Sequence, residues 1–214
     1  MLGKVPVEAL RGLNLKVPSG DFVAIVGPSG CGKSTLLNLI GSLDRPTSGR
    51  LIIDGVDMSQ VRRDQMVAMR RRTGFVFQFF NLVPRLTAQE NVELSMSICG
   101  VDRSTRRKRA RELLDYVGLG DRVDHRPAEL SGGQQQRVAI ARALATSPRI
   151  LLMDEPTGNL DSRTVREIMS FVRSLNQKGH LTTVVVTHDH SIAQQADRAL
   201  HMLDGTIVRE VANR

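Results

Sequence analysis

The chain has 214 residues, 41% of them hydrophobic and 24% charged, with a formal net charge of +8; that is enough chain to bury one core without disulfide or metal staples. No apolar run approaches the roughly 20 residues that cross a bilayer as a helix, and the first residues lack the apolar stretch and small-residue cleavage site of a secretory signal, so a cytosolic location is expected. Two cysteines, Cys31 and Cys99, build neither a disulfide framework nor a metal cluster and are expected as reduced thiols. The charge excess invites nucleic acid or an anionic membrane surface as partner. Much of it, however, sits in Arg62-Arg63, Arg70-Arg71-Arg72 and Arg103 to Arg111 with no aromatic residue interleaved, which weakens a single-strand stacking platform.

Val7 to Val17 alternate apolar and polar positions and end in the turn cluster Pro18-Ser19-Gly20-Asp21, which predicts an antiparallel strand pair. The apolar run Phe22 to Val26 predicts a strand, and Ser34 to Ile40 opens a helical pattern. Between them Gly27-Pro28-Ser29-Gly30-Cys31-Gly32-Lys33-Ser34-Thr35 fits G-x-x-x-x-G-K-[ST] at every fixed position. In that strand, loop and helix order the glycines let several backbone N–H groups converge on one phosphate, and the helix start adds partial positive charge. Lys33 is then expected on the β/γ-phosphates and Ser34 on Mg²⁺.

Further on, Arg50 to Ile53 reads as a short strand ending in the hairpin dipeptide Asp54-Gly55. Arg62 to Arg72 reads as a helix, and Gly74 to Phe77 as a compact strand stopping at Gln78. From Thr87 to Gly118 the pattern is helical, with Gln89 to Ile98 and Arg103 to Val117 as the two helices, and approximately residues 84–135 are expected as a helical insertion in an α/β scaffold. Leu130-Ser131-Gly132-Gly133-Gln134 precedes a helix from Gln135 to Ala145. Ile150 to Met153 is a continuous apolar run of the kind buried on both faces of a parallel sheet, and it ends in Asp154-Glu155. A helix from Ser162 to Asn176, a β-branched strand from Thr182 to Val186 followed by Thr187-His188-Asp189, and a terminal strand pair around Asp204-Gly205 complete the chain.

Taken together, the phosphate loop, the glutamine at a strand end, the Leu130 to Gln134 stretch, the Asp154-Glu155 pair and His188 occur in the order of one family, and the chain resembles the ATP-binding subunits of ATP-binding-cassette transporters along nearly its whole length. The resemblance implies an α/β fold with a P-loop NTPase (RecA-like) core, a parallel sheet, an antiparallel β subdomain and a helical insertion, all within a single domain over 1–214. It implies ATP and Mg²⁺ as cofactors, with Asp154 holding the water shell of the ion, Gln78 offering its amide to ion and water, Glu155 as the base for the attacking water, and His188 contacting the γ-phosphate. Ser131, Gly132, Gly133 and Gln134 match the family signature, a second anion site at a helix N-terminus that closes on the ATP of another subunit, so a head-to-tail homodimer is implied. Asn159-Leu160-Asp161 matches the dimer-contact loop.

Several phrases, among them Pro156 to Asp161 and Phe77 to Pro84, look most like the bacterial group serving macrolide efflux, lipoprotein release and cell division. That implies a membrane permease as partner, a peripheral place at the cytoplasmic face of the inner membrane, and export as the direction. The apolar loop Phe79, Phe80, Leu82, Val83 and Pro84 is the expected permease contact. The family carries an adenine-stacking aromatic ahead of the first residues here, whereas the sole tyrosine is Tyr116; either the chain starts late or it binds the base without stacking. The alternative is a soluble ATPase of the same family acting on nucleic acid or ribosomes, but those relatives carry a long coiled coil or tandem cassettes, and nucleic acid is not expected here.

Overall fold

The computed structural model describes residues 8–59, 61–158, 160–179 and 181–213. A six-stranded sheet forms from β1 (Phe22–Val26), β4 (Thr73–Val76), β5 (Ile150–Asp154), β6 (Thr182–Thr187), β7 (Arg198–Leu203) and β8 (Thr206–Ala212), while β2 (Ile52–Ile53) and β3 (Val56–Asp57) form a separate hairpin. The strand order is β4-β5-β6-β1-β7-β8. Within this sheet all pairs are parallel except β7 with β8, and β2 pairs β3 antiparallel. The helices are α1 (Lys33–Ile40), α2 (Arg63–Arg71), α3 (Ala88–Ile98), α4 (Arg103–Tyr116), α5 (Gly132–Leu144), α6 (Ser162–Gly179) and the single-turn α7 (His190–Ala193).

The period-2 pleat divides the apolar runs between two layers. On one face Phe22, Ala24 and Val26 join Leu151, Met153, Val185 and Ala199 under α3, α5, α6 and α7. On the other, Val23, Ile25, Leu152, Val184, Val186 and Leu200 meet Leu36 and Leu37 of α1. Burial on both faces is why these strands read as continuous hydrophobic runs rather than alternating ones. A smaller core of Ile53, Met58, Val61, Met66 and Met69 gathers the β2–β3 hairpin and α2. The hairpin turn at Asp54-Gly55 has φ of 50° and 77°, the two positive values that a type I′ turn requires.

The expected strand pair across Val7 to Val17 does not form. Val7 lies outside the described residues, and 8–20 contain no strand. Leu10, Leu13, Leu15 and Val17 nevertheless pack against the α1-side core. The alternation reported correctly which side faces inward, but a strand also needs a backbone neighbour along its length, and among the described residues the segment has a single-point backbone tie, Arg11 N–H to Gly205 O at 2.9 Å. α5 begins three residues earlier than its apolar pattern suggests, because Ser131 caps it and Gly132 and Gly133 form its first turn.

α5 lies directly on β4. A Cβ added to Gly74 would stand 2.5 Å from Ala143 O, well inside van der Waals contact and against backbone that cannot rotate away. Gly74→Ala is therefore expected to destabilise the fold by about 1–3 kcal/mol, as overpacked cores do. Equilibrium urea unfolding checks this, and an unchanged midpoint would show that α5 can lift off the sheet at little cost.

Candidate functional site

The loop between β1 and α1 turns where only glycine fits. An added Cβ at Gly27 would lie 2.3 Å from Met202 O, and Gly32 combines φ of 101° with a position 2.4 Å from Ala9 O. Pro28, Ser29 and Gly30 are exposed on the rim, whereas Cys31 turns its side chain under the loop into the α1-side core. Lys33 is only 8% exposed. Its Nζ donates to Gly27 O at 2.8 Å and Pro28 O at 2.9 Å, so the ammonium is held across the mouth of its own loop. No side chain caps α1 and no acidic residue occupies its first turn, which leaves the positive end of the helix facing the loop beside Ser34 and Thr35.

Three neighbouring parallel strands deliver the remaining groups. Asp154, the last residue of β5, accepts a hydrogen bond from Ser34 Oγ at 3.1 Å. Burial pushes the Asp154 carboxyl up from its ordinary value and the neighbouring Glu155 adds to that, while the Ser34 bond and Lys33 pull it back. Glu155 takes φ of 45°, a left-handed conformation that costs a non-glycine residue of order 1–3 kcal/mol. Its own N–H still reaches Val186 O at 2.9 Å. Its carboxylate turns to His188, whose Nδ1 lies 2.9 Å from Glu155 Oε2 and whose backbone N–H donates to the same oxygen at 3.4 Å. A cavity of about 400 Å³, lined by Glu155, Thr157, Gly158, His188 and Asp189 among others, opens beside this pair. Gln78, two residues beyond β4, lays its amide against Gly158, where an added Cβ would approach Nε2 to 3.1 Å.

Ser34 and Asp154 supply hydroxyl and carboxylate oxygens, the hard donors that Mg²⁺ takes. Burial and the neighbouring Glu155 both disfavour the Asp154 anion, and a cation between Ser34 and Asp154 would offset both. Among the described residues no group of three or more His, Cys, Asp or Glu could cage a metal.

The Leu130 to Gln134 stretch is placed elsewhere. Ser131 Oγ accepts the Gln134 N–H at 3.3 Å and Gln134 Oε1 accepts the Ser131 N–H at 2.9 Å, a reciprocal capping box. The hydroxyl and the side-chain amide oxygen are thus each engaged by the other residue's backbone N–H, and the first-turn N–H groups at Gly132 and Gly133 are those with no acceptor inside the helix. Among the described residues no hydrogen bond joins this stretch to residues 27–35. Gly133 instead abuts Thr164 of α6, where an added Cβ would meet Cγ2 at 2.5 Å, and Thr164 and Arg163 are both held by the Asp161 carboxylate that starts α6. Asn159 lies outside the described residues.

Sequence reasoning missed Asn91. It is fully buried and holds the segment after Gln78, accepting from Val83 N–H at 2.7 Å and donating to the carbonyls of Val83, Leu86 and Thr87. The available signal was a polar side chain on the helix face shared with Ala88 and Val92. Tyr116 packs edge-on against Phe171 at 5.5 Å.

With this geometry in view, comparison places the chain. A family model described as ABC transporter matches residues 10–158, and the chain belongs to that family: it is an ATP-binding cassette. An uncharacterized ABC transporter ATP-binding protein of Thermotoga maritima is 54% identical over 207 residues, covering 96% of this chain and 88% of that protein. The macrolide export ATP-binding/permease protein MacB of Brucella melitensis is 52% identical over 213 residues; the chain spans about a third of its length, 33%. A solved dimeric cassette, MJ0796, in a post-hydrolysis state bound to ADP and Pi superposes with a TM-score of 0.91 at 46% identity, covering 100% of this chain and 94% of that one.

A native carboxyl pKa above the ordinary 3.8 means that folding favours the protonated form. The resulting penalty is absent below the unfolded value and complete above the native one. Asp154→Asn, which keeps an oxygen for Ser34, is therefore expected to raise Tm at pH 7 in Mg²⁺-free buffer, with the gain shrinking as pH falls toward 3.8. Calorimetry across that range reads it; a lower Tm at pH 7 would mean that the Ser34 bond to the anion outweighs its burial.

Proposed function

We propose that the chain hydrolyses Mg-ATP as one half of a head-to-tail homodimer and that the cycle drives a membrane permease, at the cytoplasmic face of the inner membrane and in the direction of export. The observation that carries this reading is the alignment of Lys33, Ser34, Asp154, Glu155 and His188 along the carboxyl ends of neighbouring parallel strands, where the Ser34–Asp154 and Glu155–His188 contacts already exist. In this reading Gly27 to Thr35 wrap the phosphates, and Lys33 releases the loop carbonyls to meet the β/γ-oxygens. Ser34, Asp154 and Gln78 hold Mg²⁺, which when bound neutralises charge on the phosphates. Glu155 orients and deprotonates the attacking water, and His188 both fixes that carboxylate and faces the γ-phosphate.

Two observations support the dimer. Gly132 and Gly133 offer N–H groups away from the chain's own phosphate loop, so a second copy is the source of a ligand for them, and the MJ0796 cassette is dimeric in its ADP and Pi state. The permease rests on the matched third of a protein named for both ATP binding and permease. No helix of the described residues is long and apolar enough to cross a membrane, and we assign the permease contact to the loop 79–84. There Phe79 and Val83 are exposed at 72% and 37% and form the contact we assign, whereas Leu82 packs against the main core. We assign 1–214 to a single nucleotide-binding unit whose helical part spans roughly 84–135.

Lys33→Ala removes the fixed cation and should lower ATP turnover by about a hundredfold or more, the scale of losing one preorganised charge partner. A purified variant with turnover near that of the parent would reject the assignment. Glu155→Gln keeps the phosphate site and loses the base, so ATP still binds while hydrolysis stalls. Size-exclusion chromatography in Mg-ATP should then show a dimer accumulating, and monomer alone would count against the sandwich.

A further inference from the structure

Arg142 lies in the last turn of α5 and carries no motif, yet it makes an unusual pair of contacts. Its guanidinium donates through Nη2 to Phe80 O at 2.7 Å and through Nη1 to Asn81 O. Those two residues have φ of 60° and 48°, so two consecutive non-glycine residues sit in the left-handed region that L side chains rarely adopt. The turn is tight: Asn81 N–H reaches Phe79 O at 2.6 Å and Phe80 N–H reaches Phe77 O at 3.1 Å. Burial lowers the Arg142 pKa, and among the described residues no carboxylate pairs with it. Two backbone carbonyls, both in strained residues, are what compensates this half-buried cation.

The turn begins directly after Gln78, whose amide rests on Gly158. Phe79, the residue between, is 72% exposed and so contributes little packing to hold the backbone there. Asn91 anchors the segment only from Val83 onward. Phe77 holds the chain before Gln78 by stacking on Phe75 at 4.4 Å, and Arg142 holds the turn that follows it. It does so from the helix whose other end is Ser131 and Gly132, about 15 Å away at the α-helical rise.

We propose that Arg142 is a positioning residue for Gln78: its fork locks the left-handed turn at Phe80 and Asn81 and ties the Gln78 segment to the helix that starts at the signature. The proposal rests on the hydrolysis reading above for its consequence, but not for its structural content. Arg142→Ala, Arg142→Lys and the double variant Arg142→Ala with Asn81→Gly test it. In the nucleotide-free protein, hydrogen exchange across Phe79–Val83 should speed up by about tenfold or more in Arg142→Ala, while Leu151–Met153 of β5 stays protected. Lysine, a point charge without the fork, should fall between.

In turnover assays of the same proteins, kcat should drop roughly tenfold to a hundredfold and half-saturating Mg²⁺ should rise, with ATP affinity in the absence of Mg²⁺ unchanged, as expected for a misplaced group rather than a lost site. Glycine takes positive φ without steric cost, so Asn81→Gly should recover much of kcat in the Arg142→Ala background. Parental exchange rates in Arg142→Ala overturn the clamp. Altered exchange with parental kcat and Mg²⁺ dependence overturns its role toward Gln78, and so does a parallel fall of kcat, Tm and ATP affinity that Asn81→Gly leaves untouched. If the parent protein itself shows no turnover, the hydrolysis reading fails while the exchange comparison still decides whether Arg142 holds the turn.

Discussion

Parallel register is the constraint on which the rest of this structure depends. Val26 stands opposite Thr187, Asp154 opposite Val186 and Val76 opposite Met153, so four strands end at one level and the chain leaves each of them within reach of the same volume. What leaves is the phosphate loop from β1, Gln78 from β4, Asp154-Glu155 from β5 and His188 from β6. Ligand sites at the carboxyl ends of open parallel sheets are a general consequence of this geometry. The register is protected because both faces are buried: a slip of one residue in β1 would exchange Phe22, Ala24 and Val26 with Val23 and Ile25, which belong to differently shaped layers.

The groups gathered there are held in tension. Asp154 is an anion that burial and Glu155 disfavour, relieved in part by Ser34 and Lys33. Glu155 keeps a bond to Val186 O as though the strand continued, then takes a left-handed φ, and the turn is what swings its carboxylate to His188. Lys33, nearly buried, is satisfied by two carbonyls of its own loop. Strain and incomplete charge compensation at one edge of an otherwise well-packed sheet is the pattern expected where stability is given up for chemistry.

The parts legible from the amino-acid order were those encoded locally. The glycine loop between an apolar run and a helical pattern, the Asp54-Gly55 hairpin and the doubly buried β5 each carry their signal within a few residues. The segment at 8–17 was misread because alternation specifies an inward side and says nothing of a backbone neighbour. α7 escaped notice since four residues are too few to show a period. The helix start at Ser131 was legible, and the S-x-x-Q spacing of Ser131 and Gln134 encodes the capping box as well, although the apolar pattern of α5 begins only after it. Asn91 left one mark, a polar side chain on an apolar helix face, but its backbone partners did not; Arg142 left none, because it acts on carbonyls 61 and 62 positions away, and a carbonyl leaves no mark in the order of side chains.

α5 gives these separate observations one mechanical frame. At its C-terminal end Ala143 sits so close to Gly74 that a methyl group would not fit, and at its N-terminal end Gly133 is equally close to Thr164. A helix pinned through glycine contacts at both ends, one to the central sheet and one to the start of α6, cannot slide or roll without breaking one of them, because close-packed contacts are bistable rather than compliant. Arg142 hangs the Gln78 segment on this same rod, and Asp161 fixes Thr164 at the far end. The signature end and the turn after Gln78 thus meet on one helix, and because α5 also packs on α3 and α4, the chain between Val83 and Leu130 belongs to the same close-packed body rather than being a separate link.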